Sequence, residues 1–234
     1  MSTPVSLAFS DKYDQAHAEA YWHKHRSGIA RRLSDWRDQQ LARWALAQAG
    51  QPRQVLDLPC GAGRFWPTLL SQPQRQLIAA DNAEGMLEVA RRVHSPATLA
   101  RVQLLHTSAF AIDLPDHSVD SVFCMRLLHH IEDNEHRLLL LRECHRVTRD
   151  SLIISLWVDG NIKARRRARL ETRRAARAKD SGTNNNRFVA RRRDIEHLFA
   201  VAGFRIQSHQ DFLPGYAMWR VYVLRCDPRS VVTA

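Results

Sequence analysis

The chain has 234 residues, 44% of them hydrophobic, four cysteines and a formal net charge of +11. That length supports one substantial core, or one domain with an appendage, and no apolar run reaches the 18 residues of a transmembrane helix. The segment MSTPVSLAFSDKYD has no basic start followed by an apolar core, so no secretory signal is expected. Cys60, Cys124, Cys144 and Cys226 form no Cys-x-x-Cys pair; reduced thiols, a cytoplasmic location and no metal site are expected. The charge is segregated. Residues 158–193 hold eleven Arg and two Lys against Asp159, Glu171 and Asp180, a net +10 that leaves about +1 for everything else.

Taken in order, residues 11–50 read as helical. Residues 1–34 form a separate N-terminal piece with Phe9, Tyr13, Tyr21 and Trp22 on a polar background, and residues 35–234 form the main domain. Asp35 is a plausible N-cap for a helix carrying Leu41, Trp44, Ala45 and Leu46 at helical spacing, ended by Gly50 and Pro52. Strands and helices then alternate. Strands are expected at Val55–Leu58, Gln76–Ala80, Val102–His106, Ser118–Cys124 and Ser151–Val158, and helices at Arg64–Ser71, Ala83–Val93 (Asn82 as cap) and Asp133–Arg146. A helix over Arg192–Ala202 and strands at Phe204–Gln207 and Trp219–Arg225 close the chain. Such alternation predicts a parallel sheet with helices on both faces, and ligands at the carboxyl ends of its strands.

The most informative stretch is Val55-Leu56-Asp57-Leu58-Pro59-Cys60-Gly61-Ala62-Gly63-Arg64-Phe65. A strand ends in an acid, and the glycines allow positive φ and close approach of a ligand. The helix that follows aims free N–H groups at whatever lies above. These residues resemble motif I of the class I S-adenosyl-L-methionine (SAM) dependent methyltransferases, acid-x-Gly-x-Gly-x-Gly. Pro59 stands in place of the first glycine, which fixes φ and removes one N–H. The second match is Ile78-Ala79-Ala80-Asp81-Asn82-Ala83-Glu84-Gly85-Met86, with Asp81 placed 18 residues beyond Gly63. The third is Thr107-Ser108-Ala109-Phe110 through Leu114-Pro115 to Asp120, and the fourth is Cys124-Met125-Arg126-Leu127-Leu128-His129-His130-Ile131, similar to small-molecule methyltransferases of the ubiquinone-biosynthesis type.

The resemblance implies a Rossmann-like α/β fold: a mostly parallel seven-stranded sheet flanked by helices, with a C-terminal antiparallel hairpin. It implies SAM as cofactor and S-adenosyl-L-homocysteine (SAH) as product. The cofactor would be held by Asp57, Pro59, Cys60, Gly61, Ala62, Gly63, Asp81, Asn82, Met86, Ser108, Ala109, Phe110, Met125 and Arg126. Asp81 would take the ribose diol, Met86 would lie under the adenine, and Ser108 would stand where the family usually has Asp. The N-terminal helices would form a lid over the cofactor, or simply dock on the core. His129 or His130 is a candidate proton acceptor, although methyl transfer depends mainly on alignment and exclusion of water, so a base is not obligatory.

The basic insert follows the fifth expected strand. Its residues 161–179 are strong helix formers, and Arg165, Arg169, Arg173 and Arg177 recur every four residues beside Arg166. Arginine forks bind phosphate and carboxylate. The insert therefore points to an anionic substrate or effector: a phosphorylated small molecule, a lipid-linked glycan or a nucleotide such as a cyclic dinucleotide. RNA, and peripheral contact with an anionic membrane surface, are further candidates. Trp157, Arg192 and Tyr216 complete the expected substrate side. The reading is SAM-dependent methylation of a small or lipid-linked anionic acceptor, with two alternatives: RNA methylation, or a regulatory module of this fold.

Overall fold

Short runs of Val, Leu and Ile become the strands of one seven-stranded sheet in the computed structural model, which describes residues 28–177 and 187–227. The strands are β1 (Gln54–Asp57), β2 (Gln76–Asp81), β3 (Val102–His106), β4 (Val119–Cys124), β5 (Thr148–Trp157), β6 (Phe204–Asp211) and β7 (Trp219–Cys226). Their spatial order is β3-β2-β1-β4-β5-β7-β6. The first five pair in parallel, and β7 inserts antiparallel between β5 and β6.

Central strands are buried on both sides, as sheets covered by helices on both faces require: Val55, Leu56, Val122, Phe123, Leu152, Ile153 and Ile154 have no exposed surface. Two large apolar cores result, with a small third cluster of Ala62, Met86 and Val89. One, around Leu128, Leu140, Leu141, Ile195, Phe199 and Tyr222, lies under the later helices. The other, around Leu41, Ala45, Trp66, Leu69, Leu87 and Phe123, lies under the earlier ones. The helices are α1 (Ile29–Gln48), α2 (Trp66–Leu69), α3 (Glu84–Val93), α4 (Pro96–Leu99), α5 (Asn134–Val147), α6 (Ile162–Arg177) and α7 (Arg192–Val201).

The expected elements are present, with shifted ends. Asp35 is not an N-cap: α1 begins at Ile29 after Gly28, and Asp35 lies inside it. Ala30, Arg31, Arg32 and Leu33 are good helix formers and extend the helix upstream. The helix therefore runs through position 34, where the N-terminal piece was expected to end. Asn82 is not a cap either; Ala83 takes that position without a side-chain bond. The helix after the glycine turn is shorter than Arg64–Ser71, because the turn itself continues to Phe65. Phe9, Tyr13, Tyr21, Trp22 and the rest of residues 1–27 lie outside the described residues, as do the side chains of Arg173 and Arg177. Among the described residues, no helix is long and apolar enough to cross a membrane.

Two polar ties hold the site's supporting loops. Asp120 accepts the N–H groups of Arg53 (3.0 Å) and Gln54 (2.9 Å), fastening the start of β1 to β4. Arg146 on α5 donates to the carbonyls of Ile112 (2.7 Å) and Leu114 (2.8 Å), while Glu143 accepts the Ile112 N–H (2.8 Å). The loop after β3 is thereby clamped from below. Replacing Arg146→Met leaves the Leu114 carbonyl unpaired and the Ile112 carbonyl with the Leu114 N–H alone, so urea denaturation should show a loss of about 1–3 kcal/mol.

Candidate cofactor and acceptor site

Strand order reverses between β1 and β4, so the loops leaving them turn apart and open a crevice at the carboxyl edge of the sheet. A cavity of about 900 Å³ occupies that crevice. Its floor is the turn Leu58–Arg64. Gly61 (φ 53°) and Gly63 (φ 77°) both have left-handed backbone, which glycine tolerates and other residues rarely do. The turn is tied to both neighbouring strands: Leu58 N–H donates to the Phe123 carbonyl (3.0 Å) and Cys60 N–H to that of Ala80 (2.8 Å).

Asp81 locks the arrangement. Its carboxylate accepts the Gly61 N–H (2.8 Å) on one oxygen and the Ala83 N–H (2.9 Å) on the other. Burial pushes its pKa above the usual carboxylate value, and the backbone donors at Ala83 and Gly61 oppose that rise. Asp57 differs from the expectation in place. It is fully buried beneath the turn and does not line the cavity, one of its oxygens has no hydrogen-bond partner among the described residues, and burial raises its pKa well above the ordinary range.

The other expected cofactor residues, Pro59, Cys60, Gly61, Ala62, Gly63, Asp81, Asn82, Met86, Ser108, Ala109, Phe110, Met125 and Arg126, all line this one cavity. Ser108 Oγ already accepts the Phe110 N–H (3.2 Å), an internal bond that shapes the loop. A β-carbon on Gly61 would meet nothing within 4 Å, so the cradle over the turn is open. With a buried carboxylate at one end and apolar Met86 beside it, the residues fit an adenosine-bearing cofactor.

Sequence reading missed several members. His94, at the end of α3, hydrogen-bonds the Ala62 carbonyl through Nε2 (3.0 Å) and packs on the Trp66 ring at 4.4 Å. Asp38 on α1, only 4% exposed, accepts from Arg64 (2.6 Å) and from Arg126. Burial pulls the Arg64 pKa down, but Asp38 and Asp35 outweigh it and hold the group above its ordinary value. Arg126 has positive φ (66°), donates its N–H to Ser155 Oγ (2.9 Å), and sets its guanidinium 4.8 Å from the Trp219 ring centroid. Helical periodicity shows Asp38 only as one more polar residue, so no sequence signal marked it.

Beyond Arg126 the cavity continues into a chamber lined by His129, His130, Trp157, Arg187 and Trp219. His129 and His130 lie on the single 3-10 turn after β4, rings 4.0 Å apart. Burial, with His130, Arg187 and Arg126 nearby, pushes the His129 pKa down to about 2, so its ring is neutral. Of the basic insert, Arg167 and Arg187 reach Trp157, at 5.2 and 5.8 Å from its ring centroid. Arg165, Arg166 and Arg169 are exposed and do not line the cavity. Arg192 is exposed at the start of α7, its N–H donating to Asp159 (3.0 Å), and Tyr216 lies under Lys163 at 5.1 Å.

Residues 55–151 match the family model of a methyltransferase domain. Over those residues the chain carries a methyltransferase domain, and its sheet has the fold of the class I SAM-dependent enzymes. Relatives of this domain include a demethylmenaquinone methyltransferase of Geobacillus kaustophilus, 29% identical over 51% of this chain and 49% of that one. A probable S-adenosylmethionine-dependent methyltransferase of Mycobacterium tuberculosis is 31% identical over 54% and 43%. The chain thus spans less than half the length of the curated relatives it matches. Among solved structures, the magnesium protoporphyrin IX methyltransferase of Synechocystis with bound SAH superposes with a TM-score of 0.70 at 14% identity, over 95% of this chain and all of that one. The cyclase SpnF has the same fold (TM-score 0.61, 13% identity, 81% and 80% covered).

Two outcomes follow for the methyltransferase domain. A β-carbon at Gly63 would lie 2.5 Å from both His94 Nε2 and Trp66, so Gly63→Ala should destabilise the fold by about 2 kcal/mol or more in urea titrations. His129 has its folded pKa lowered from 6.5 to about 2. Below the ordinary histidine value of about 6.5 the unfolded chain therefore takes up a proton the folded one refuses, so stability falls with pH. Between pH 7.5 and 5.5, His129→Gln should lose about 1 kcal/mol less than the parent, measured by urea midpoints.

Proposed function

We propose that the chain methylates a small or lipid-linked anionic acceptor in a SAM-dependent reaction. The observation that supports it is one continuous cavity with a nucleotide cradle at one end and a cationic, aromatic chamber at the other. When bound, SAM supplies an activated sulfonium methyl group and leaves as SAH.

The chain's own residues then have separable tasks. Asp81 would accept the ribose hydroxyls with the lone pairs its backbone donors leave free. Met86 and the Ser108–Phe110 loop would hold the adenine; the carboxylate of the methionine portion would fall to Arg64, whose Nη1 has no partner among the described residues, or would have to share Arg126 with Asp38. Catalysis of methyl transfer needs alignment and a dry chamber more than acid or base. A neutral, buried His129 suits hydrogen bonding to the acceptor. His130, partly exposed at the cavity wall, is the better placed of the two to pass a proton onward.

The demethylmenaquinone and magnesium protoporphyrin IX methyltransferases, as named, act on small molecules, which favours a small acceptor here. A second reading, RNA as acceptor, draws on Arg165, Arg166 and Arg169, exposed outside the cavity on α6; the same stripe would suit an anionic membrane surface. The SpnF cyclase is a reminder that this fold carries other chemistry.

Calorimetric titration tests the proposal. SAM and SAH should bind in the micromolar range, and Asp81→Ala should weaken both by about 10- to 100-fold, the loss of one or two charge-assisted hydrogen bonds. Radiolabelled methyl transfer into fractionated cell extracts then identifies the acceptor. Label in the RNA fraction, with binding that weakens steeply as salt rises, would favour the second reading. A folded protein that binds neither SAM nor SAH overturns the proposal.

A further inference from the structure

The chamber beyond Arg126 is walled by rings. Trp157 and Trp219 meet edge to face, centroids 5.6 Å apart at 79°. His129 packs against both, 5.2 Å from Trp157 and 4.6 Å from Trp219. His129 is 3% exposed and Trp157 is 8% exposed, yet His129 Nδ1 and Trp157 Nε1 have no hydrogen-bond partner among the described residues. Buried polar atoms are nearly always paired. Both residues line the cavity, so its wall carries a donor and a neighbouring ring nitrogen that no group among the described residues satisfies.

The chamber's cations are unequal. Arg126 is paired with Asp38 and Arg167 with Glu171. Arg187 lines the cavity and makes no ion pair among the described residues. Its place is set by backbone bonds on both sides. Phe188 N–H donates to the His129 carbonyl (2.7 Å), and the Arg167 guanidinium donates to the Arg187 carbonyl (2.8 Å). The base of the insert is thus stitched to the chamber wall, and among the described residues the Arg187 guanidinium at this aromatic mouth has no carboxylate partner.

We infer that the acceptor is a planar aromatic acid, its ring packed against Trp157 and Trp219, its anionic group at Arg187, and a polar atom at His129 Nδ1 and Trp157 Nε1. This rests on the methyltransferase reading and narrows it. An aliphatic anion would satisfy Arg187 but forgo the ring-on-ring packing that aromatic walls favour. A neutral aromatic molecule would leave the guanidinium uncompensated. Arginine is suited to both parts, since its planar cation stacks on rings and forks a carboxylate. Neutral His129 can donate or accept, whereas the Trp157 N–H only donates, so the pair accommodates either a carbonyl or a hydroxyl oxygen.

Calorimetry on the purified full chain, with and without SAH, tests the inference using 2-naphthoate, cyclohexanecarboxylate and 2-naphthalenemethanol as probes. The naphthoate should bind about tenfold or more tighter than either of the others. Arg187→Gln, a change at an exposed side chain, should bring the naphthoate down to the level of the alcohol without changing SAH affinity. Trp157→Phe, which keeps a ring and removes the N–H, should weaken the naphthoate severalfold. Equal binding of ring and non-ring acids, an Arg187→Gln variant that binds naphthoate as the parent does, or no probe binding by a protein that binds SAH, each overturns the inference. Naphthoate binding with this selectivity in a protein that binds no SAH would instead overturn the cofactor reading and support the chamber's assignment.

Discussion

The site depends on one carboxylate. Asp81 closes β2 and holds two loop N–H groups at once, Gly61 from the turn after β1 and Ala83 from the approach to α3. In a parallel pair, adjacent strands end at the same edge, and their outgoing loops have no ladder to join them. A short, buried acceptor between the loops supplies that join. It also explains why the turn must be glycine-rich: the Gly61 N–H reaches Asp81 from a left-handed backbone, and Gly63 must pass beneath Trp66 and His94 with no β-carbon.

A second charged cluster stands between the glycine-turn end of the cavity and its aromatic end. Asp38 on α1 takes both Arg64 and Arg126, one from the glycine turn and one from the end of β4. Three charges held largely out of water are favourable only as a connected group; removing one partner leaves the others stranded. The cluster therefore fixes α1 over the cavity, and it poses Arg126 between Asp38 and the Trp219 ring. The aromatic chamber is built around that pose, since Trp219 packs against Trp157 and His129.

Much of this was legible in the chain. The alternation of apolar strands and periodic helices gave the layered sheet, because period and burial follow directly from side-chain pattern. The glycine turn, Asp81, Met86 and the Ser108–Phe110 loop were marked by local spacing, and all line one cavity. Element ends were less legible. Asp35 reads as a cap from its residue type, yet good helix formers before it carry α1 back to Ile29, and its carboxylate serves Arg64 instead. Asp57 matched the motif but lies under the turn rather than on the cavity wall. The Arg stripe at four-residue spacing was the conspicuous feature of the insert, whereas Arg167 and Arg187, off that stripe, are the ones against Trp157.

The sequence by itself determined the fold class, the cradle and the cationic insert, since each is written in residues close along the chain, where spacing and chemistry are enough. The tertiary structure alone decided the partners: Asp38 with Arg126, 88 residues apart, and the 187–190 segment returning to His129 and Trp157. It also decided that His129 is neutral and buried between two indoles from strands far apart in sequence. Burial, orphaned donors and an uncompensated guanidinium are properties of what surrounds a residue in space, and a linear pattern does not carry them.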